Sequence, residues 1–414
     1  MGSGVVVELF VILLAIAVGV ALVTQRLSIP YSVALVIAGF ALSITQPATD
    51  ARITPDLILV VFIPGLVFEA AYHIDVGHLR RQFASVAILA VPGVLITAGI
   101  VAAIVAATTG LEPRLAFVLG AIVCATDPVA TVAVFKKLRA PKALGTVVEA
   151  ESLLNDGTGV VLFTIALAGA TSSFSLADGV VRFVLAIVVS ASLGGVAGYL
   201  AVRVMHLAED HTVQVMVSLI AAYGTYIAAD ALHQSGIIAT VVVGLTIGSA
   251  GGRYALPAAT TEALDAVWDA VAFLLTALVF LLIGIVITPA QLAGAGPVIV
   301  AGFVGITLAR AAVVYGLIGV GGRLLTRRPR VPMSAGYLHV MFWAGLRGAI
   351  AIALVLALPA DLPQHDLIAG GVYGIVLVTL LLQGTTAGWV VQRSGVLSGQ
   401  AGGGGGGAEA SARA

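Results

Sequence analysis

The chain has 414 residues, of which 60% are hydrophobic and only 10% charged, and its mean hydropathy is +1.13. A soluble domain carries about 25% charged residues, so a soluble enzyme, a coiled coil, a disordered chain and a nucleic-acid binder are all excluded. Twenty basic and 20 acidic residues leave no net charge to recruit acidic or basic partners, and the single cysteine, Cys124, excludes a disulfide framework or a thiolate metal cage. What remains is a polytopic membrane protein with room for about a dozen apolar spans of roughly 20 residues each.

Apolar runs separated by short polar loops place thirteen spans at about 5–24, 30–46, 55–72, 83–107, 114–136, 148–170, 180–206, 211–230, 234–250, 263–287, 297–320, 333–358 and 366–392. Ala, Val, Leu, Ile and Gly fill them without the alternation of a β-barrel strand, so the expected fold is all-α. The first span lacks a basic leader and carries Glu8 before its apolar run, which marks a retained helix rather than a signal peptide. The membrane domain therefore covers residues 1–394. Residues 395–414, with the run Gly402–Gly407, are expected to be a disordered tail.

Alternate loops hold Arg26, Arg80, Arg81, Lys136, Lys137, Arg139, Lys142, Arg203, Arg253, Arg323, Arg327, Arg328, Arg330, Arg393 and Arg413, fifteen of the 20 basic residues. The opposite loops hold only Arg52, Arg114 and Arg182. This bias sets the N-terminus outside and the C-terminus in the cytoplasm, in keeping with an odd number of spans.

Residues 31–43 (YSVALVIAGFALS) and 236–248 (GIIATVVVGLTIG) share Ala34/Ala239, Val36/Val241 and Gly39/Gly244. They fall in spans 2 and 9, and a shift of seven spans reverses orientation. Spans 1–6 and 8–13 are thus expected to form two inverted six-helix repeats joined by span 7, a common build for secondary transporters.

Ionisable groups within the hydrocarbon region are costly and mark function by default. Glu69, Asp127, Glu151, Asp156, Arg310 and Arg347 lie well inside spans, whereas Asp230, Asp265 and Asp269 sit where interfacial or ion-paired roles suffice. In ATDPVA (125–130), Pro128 removes a backbone donor and Asp127 is a natural helix cap, which predicts a helix broken in mid-membrane in span 5. Carbonyls freed near Thr126 can coordinate a cation, and Asp127 offsets the positive end of the second half-helix. Span 12 repeats the break at AGLRGA (344–349), where Arg347 offsets carbonyl ends.

In ESLLNDG (151–157), Ser152 and Asp156 share one helix face, and Glu151 and Asn155 share the next. Such oxygen ligands suit a hard cation such as Na+. Arg310 needs an acid; if Glu151 supplies it, Asp156 is left without a basic partner and is able to hold a proton or a cation in turn. An intramembrane aspartyl protease built on Asp127 and Asp156 is disfavoured by Asn155, Glu151 and the arginines. A solute symporter would need more polar lining than the spans supply.

FIPGLVFEA (62–70), ATDPVA, ESLLNDG, Arg310 and GLRGAIA (345–351) together resemble the monovalent cation/proton antiporters of type 1, the sodium/proton exchangers, in order along nearly the whole chain. The resemblance implies a homodimer of thirteen-helix protomers with no cofactor. In it a core of spans 4–6 and 11–13 moves against a dimerisation domain of spans 1–3 and 8–10, span 7 being the linker. It also implies that Asp156 binds Na+ or H+, that Ser152, the Thr126 carbonyl and Glu69 complete the Na+ site, that Asn155 orders it, and that Glu151 pairs with Arg310. An Asn-Asp pair, here Asn155-Asp156, goes with electroneutral exchange in that family. Side-chain types leave K+ and Li+ open as alternative substrates.

Overall fold

The computed structural model describes residues 3–26, 29–45, 55–171, 175–249, 256–321 and 334–397. Arg52, Arg253, Arg323, Arg327, Arg328, Arg330, Arg413 and the Gly402–Gly407 run, all used in the sequence reading, lie outside the described residues.

Among the described residues every regular element is a helix, and a helix lies on each apolar run read from the sequence. The elements are α1 (Ser3–Thr24), α2 (Tyr31–Thr45), α3 (Leu57–His73), α4 (Val76–Thr109) and a pair of half-helices, α5a (Pro113–Val123) and α5b (Val129–Leu138). They continue as α6 (Lys142–Thr171), α7 (Leu176–Leu207), α8 (His211–Ala231), α9 (Gly236–Gly248), α10 (Ala258–Val286) and α11 (Gly296–Val320). A second pair of half-helices, α12a (Ala335–Trp343) and α12b (Ala349–Leu356), precedes α13 (His365–Arg393). Seven of these helices are long and apolar enough to cross a bilayer on their own, and shorter apolar helices supply most of the remaining segments.

Prolines accompany two of the local departures from α-geometry, whereas the π-wound turns Ala312–Gly321 of α11 and Leu380–Gly384 of α13 contain none. The first turns of α3, Leu57–Phe62, are wound as a π-helix just before Pro64, whose missing N–H and ring oppose a regular turn there. α4 bends at Val91, ahead of Pro92. α4 also starts earlier than hydropathy indicates. Asp75 accepts the His78 N–H at 2.9 Å and caps the helix, so Arg80 and Arg81 lie in its opening turns rather than in a loop. The same backbone N–H holds the Asp75 carboxyl below the ordinary carboxylate range.

The described residues carry exposed apolar side chains on the outside and bury a small set of polar and charged groups within a largely hydrophobic core. Val180, Val184, Val188, Val196, Leu200 and Val204 form an exposed stripe along α7. Glu151, Ser152, Asn155, Arg310 and Arg347 are buried. α4, α5a, α6, α11 and α13 pack on one another and on α12b, while α2 packs on α10 and α9 packs on α3, α7 and α8. Glycine allows the close approaches: Gly39 of α2 meets the backbone of Gly284 in α10, and Gly244 of α9 meets Phe68, Ala71 and Tyr72 of α3.

The C-terminal boundary needs one correction. The described residues run to Leu397, and Val396 is buried and packs over Gly336 at the start of α12a. Residues 395–397, expected in a disordered tail, are therefore part of the packed domain.

Candidate functional site

Both expected breaks are present. Backbone between Val123 and Val129, and between Trp343 and Ala349, leaves helical geometry in the interior of the bundle. The two unwound strands meet: the Asp127 N–H donates to the Leu346 carbonyl at 2.8 Å, and the Arg347 N–H donates to Thr379 Oγ1 of α13 at 3.2 Å. Backbone that has lost its helix partners is thereby satisfied by protein, which is what makes a mid-membrane break tolerable.

Opposite charges sit on opposite helix ends. The Arg347 guanidinium donates to the carbonyls of Cys124 and Ala125, each at 2.8 Å, and so caps the negative end of α5a. The Asp127 carboxylate accepts the Val129 N–H at 2.9 Å at the positive end of α5b and also lies against Gly348 at the start of α12b. A Cβ on Gly348 would overlap that carboxylate. Gly348→Ala is therefore expected to lower stability by about 1–3 kcal/mol through overpacking, read as a drop in the thermal unfolding midpoint of the purified protein.

α6 begins at Lys142, not near residue 148, so Asp156 lies 14 residues into the helix, about 21 Å along its axis. Its two polar faces address two different spaces. Ser152 and Asp156 line an interior cavity of about 80 Å³ together with Thr126, Asp127 and hydrophobic groups of α3, α10 and α12b. Glu151 and Asn155 face a second, water-sized space of about 10 Å³ that Arg310 and Arg347 also border.

Asn155 holds the Thr126 segment from both sides: its Oδ1 accepts the Thr126 N–H at 3.1 Å and its Nδ2 donates to Thr126 Oγ1 at 2.7 Å. Ser152 Oγ is 3.0 Å from Thr126 Oγ1 and donates to the Thr126 carbonyl. Asp156, Ser152 and Thr126 thus line one cavity.

Arg310 of α11 is buried and makes a two-pronged bond to Glu151, with Nη2 2.9 Å from Oε2. Its Nη2 and Nε also donate to the Met341 carbonyl, at 2.8 and 3.2 Å, near the end of α12a. Sequence reasoning missed this second role, and it missed Thr379, because a backbone acceptor and a lone threonine leave no signature in a one-dimensional pattern.

Glu69 is the residue the structure does not bring into the cavity. The lining stripe of α3 is Ile63, Leu66, Val67 and Ala70. Glu69 is rotated off that stripe by helix periodicity, and its Oε1 lies 3.1 Å from Nδ1 of His73 one turn on. His73 Nε2 in turn faces Asp265 at 3.7 Å and Asp269 at 4.0 Å. The expected fourth ligand is thus part of a titratable cluster beside the cavity, and the two α10 acids meet the histidine of α3.

A family model described as "Sodium/hydrogen exchanger, transmembrane" matches residues 11–393. The chain is 35% identical over 401 residues to the Na(+)/H(+) antiporter ApNhaP of Aphanothece halophytica, covering 95% of this chain and 76% of that protein. It is 33% identical over 392 residues to the low-affinity Na(+)/H(+) antiporter NhaS1 of a Synechocystis strain, covering 93% and 74% respectively. The solved structure of the sodium proton antiporter MjNhaP1 from Methanocaldococcus jannaschii at pH 8 superposes with a TM-score of 0.75, over 96% of this chain and all of that one, at 21% identity, a likeness of fold. On its sequence and its architecture of broken membrane helices, this chain belongs to the sodium/hydrogen exchanger family.

Proposed function

We propose that the protein exchanges Na+ for H+ across a cell membrane, with Asp156 holding each ion in turn and the cavity opening alternately to the two sides. It is a secondary transporter, not an enzyme. The reading is carried by one arrangement: Asp156 faces an interior cavity beside Ser152 and Thr126, while Arg310 is occupied by Glu151 and Met341. Asp156, Ser152 and the Thr126 carbonyl form the Na+ site, with Asn155 ordering it. Asp127 and Arg347 balance the half-helix ends and bind no ion. Glu69 reaches the site only if it leaves His73, and serves as an approach group otherwise.

Two further features complete the proposal. The halves are inverted repeats with a moving core of α4–α6 and α11–α13. In support, α2–α10 and α9–α3 are the pair of contacts that such a repeat would relate to each other, and both are made through glycine. The protein works as a homodimer in the plasma or inner membrane, N-terminus outside and C-terminus in the cytoplasm, and serves pH and sodium homeostasis.

Because one carboxylate cannot hold both ions at once, each direction of the cycle carries the same charge, and exchange is electroneutral. In proteoliposomes carrying a pH gradient, added Na+ should discharge the gradient at a rate that does not change when the membrane potential is clamped at different values. Running the assay with Na+, K+ and Li+ in turn fixes the substrate. A rate that follows the clamped potential overturns the one-for-one stoichiometry, and discharge by K+ in preference to Na+ overturns the substrate.

A further inference from the structure

A further cavity, of about 330 Å³, lies where the end of α1 and the start of α2 meet α5b. Its lining includes Thr24, Gln25, Ile29, Tyr31, Val134 and Lys137, and it shares no lining residue with the ion cavity. One wall comes from α1 and α2 and the other from the half-helix that follows the Asp127 break, so an occupant touches both.

The cavity has two chemically distinct ends. Lys137, Gln25 and Thr24 supply polar groups, and Ile29, Pro30, Ala133 and Val134 an apolar wall. Lys137 is the charged residue of the lining, and further basic residues lie near it in the sequence, of which Lys136 is within electrostatic reach of Glu149 on α6. Arg26 follows Gln25, Lys136 precedes Lys137, Arg139 and Lys142 follow closely, and no acid occurs among residues 24–31 or 131–142. The lysines are not simply caps for α5b. The chain turns left-handed at Arg139 (φ 52°), and the N–H groups of Arg139 and Ala140 return to the carbonyls of Lys136 and Phe135. The wall at Tyr31 is fixed, its hydroxyl donating to the Ala17 carbonyl at 3.2 Å and its ring stacked on Phe273 with centroids 5.4 Å apart. Leu22 and Val23, 60% and 57% exposed, continue the apolar surface along α1.

We infer that this cavity binds an anionic glycerophospholipid of the leaflet that faces Lys137, its phosphate against Lys137 and Gln25 and its acyl chains along Ile29, Val23 and Leu22. Charge complementarity selects the anion, since each basic group near an anionic headgroup adds favourable energy and basic pockets between membrane helices select such headgroups. The apolar wall selects a lipid over a soluble anion, which would leave Ile29 and Val134 uncovered. A lipid held there couples the α1–α2 turn to the half-helix that carries the Asp127 break.

The test is thermal unfolding of the purified full chain with added phosphatidylglycerol, phosphatidylcholine or inorganic phosphate. Phosphatidylglycerol should raise the unfolding midpoint by at least about 3 °C more than phosphatidylcholine. Lys137→Gln should remove that difference, and so should Ala133→Trp, which fills the cavity and leaves every charge in place. Arg203→Gln, at an exposed arginine paired with Tyr199 on α7, should keep it. Retention of the difference in Ala133→Trp, or its equal loss in Arg203→Gln, would mean diffuse surface charge and overturn the site. An equal shift from inorganic phosphate would overturn the lipid as its occupant. None of these readouts depends on ion exchange.

Discussion

Asp156→Asn is expected to reduce Na+-driven proton movement in proteoliposomes to the level of empty vesicles, with the protein still folded. The substitution keeps the size of the side chain and most of its polarity, and it removes the only property that the proposed cycle uses, the ability to be either a carboxylate that binds a cation or a neutral acid. No structural bond is at risk. Asp156 lines the cavity, and the bonds that tie α6 to its neighbours are made by Glu151, Ser152, Asn155 and Thr158. Yield and thermal unfolding midpoint should therefore stay near wild type, and stabilisation of the protein by added Na+ should vanish. Ser152→Ala supplies the graded comparison: it removes one hydroxyl of the proposed site but leaves the carboxylate, so exchange should persist at a raised half-saturating Na+ concentration. Retained exchange in Asp156→Asn would remove this residue from its role and move the carrier elsewhere, Asp127 being the next acid on the same cavity.

Much of this site was legible in the sequence because its chemistry rests on residue types that stand out against hydrocarbon. A proline after an aspartate, and an arginine between two glycines, marked the two breaks. Spacing of four residues put Ser152 with Asp156 and Glu151 with Asn155, and the structure keeps those pairs in two separate spaces. What the sequence could not carry is the identity of backbone partners. Arg347 was expected to meet carbonyl ends, but that these belong to Cys124 and Ala125, and that Arg310 takes Met341 as well as Glu151, depends on how two unwound segments cross. Glu69 shows a different limit. Its helix was identified, but which stripe of α3 faces α6 is set by tertiary packing, and the winding of its first turns as a π-helix rotates everything after Phe62 relative to the residues before it. Helix starts were misplaced where charged turns extend a helix beyond its apolar run, as at Val76 and Lys142.

Arg310→Ala is expected to be the most damaging substitution for folding, lowering stability by about 3–5 kcal/mol or preventing recovery of folded protein. Three acceptors lose their donor at once: both Glu151 oxygens and the Met341 carbonyl. Glu151 is 2% exposed, so a carboxylate left there has neither water nor counter-charge, and an unpaired buried charge costs far more than the pair gained. Arg310→Lys separates the two functions of the guanidinium. An ammonium restores charge opposite Glu151, but it lacks the planar fork that spans a carboxylate and a carbonyl together, so Lys should recover part of the loss. Neutralising the acid as well, in Glu151→Gln/Arg310→Ala, should recover the electrostatic part and leave the cost of the orphaned Met341 carbonyl at the end of α12a. The thermal unfolding midpoints should then rank wild type above Arg310→Lys and the double variant, with Arg310→Ala lowest. An Arg310→Ala protein with wild-type yield and midpoint would show that Glu151 is satisfied by something else, and the reasoning that leaves Asp156 free to carry the ion would lose its foundation.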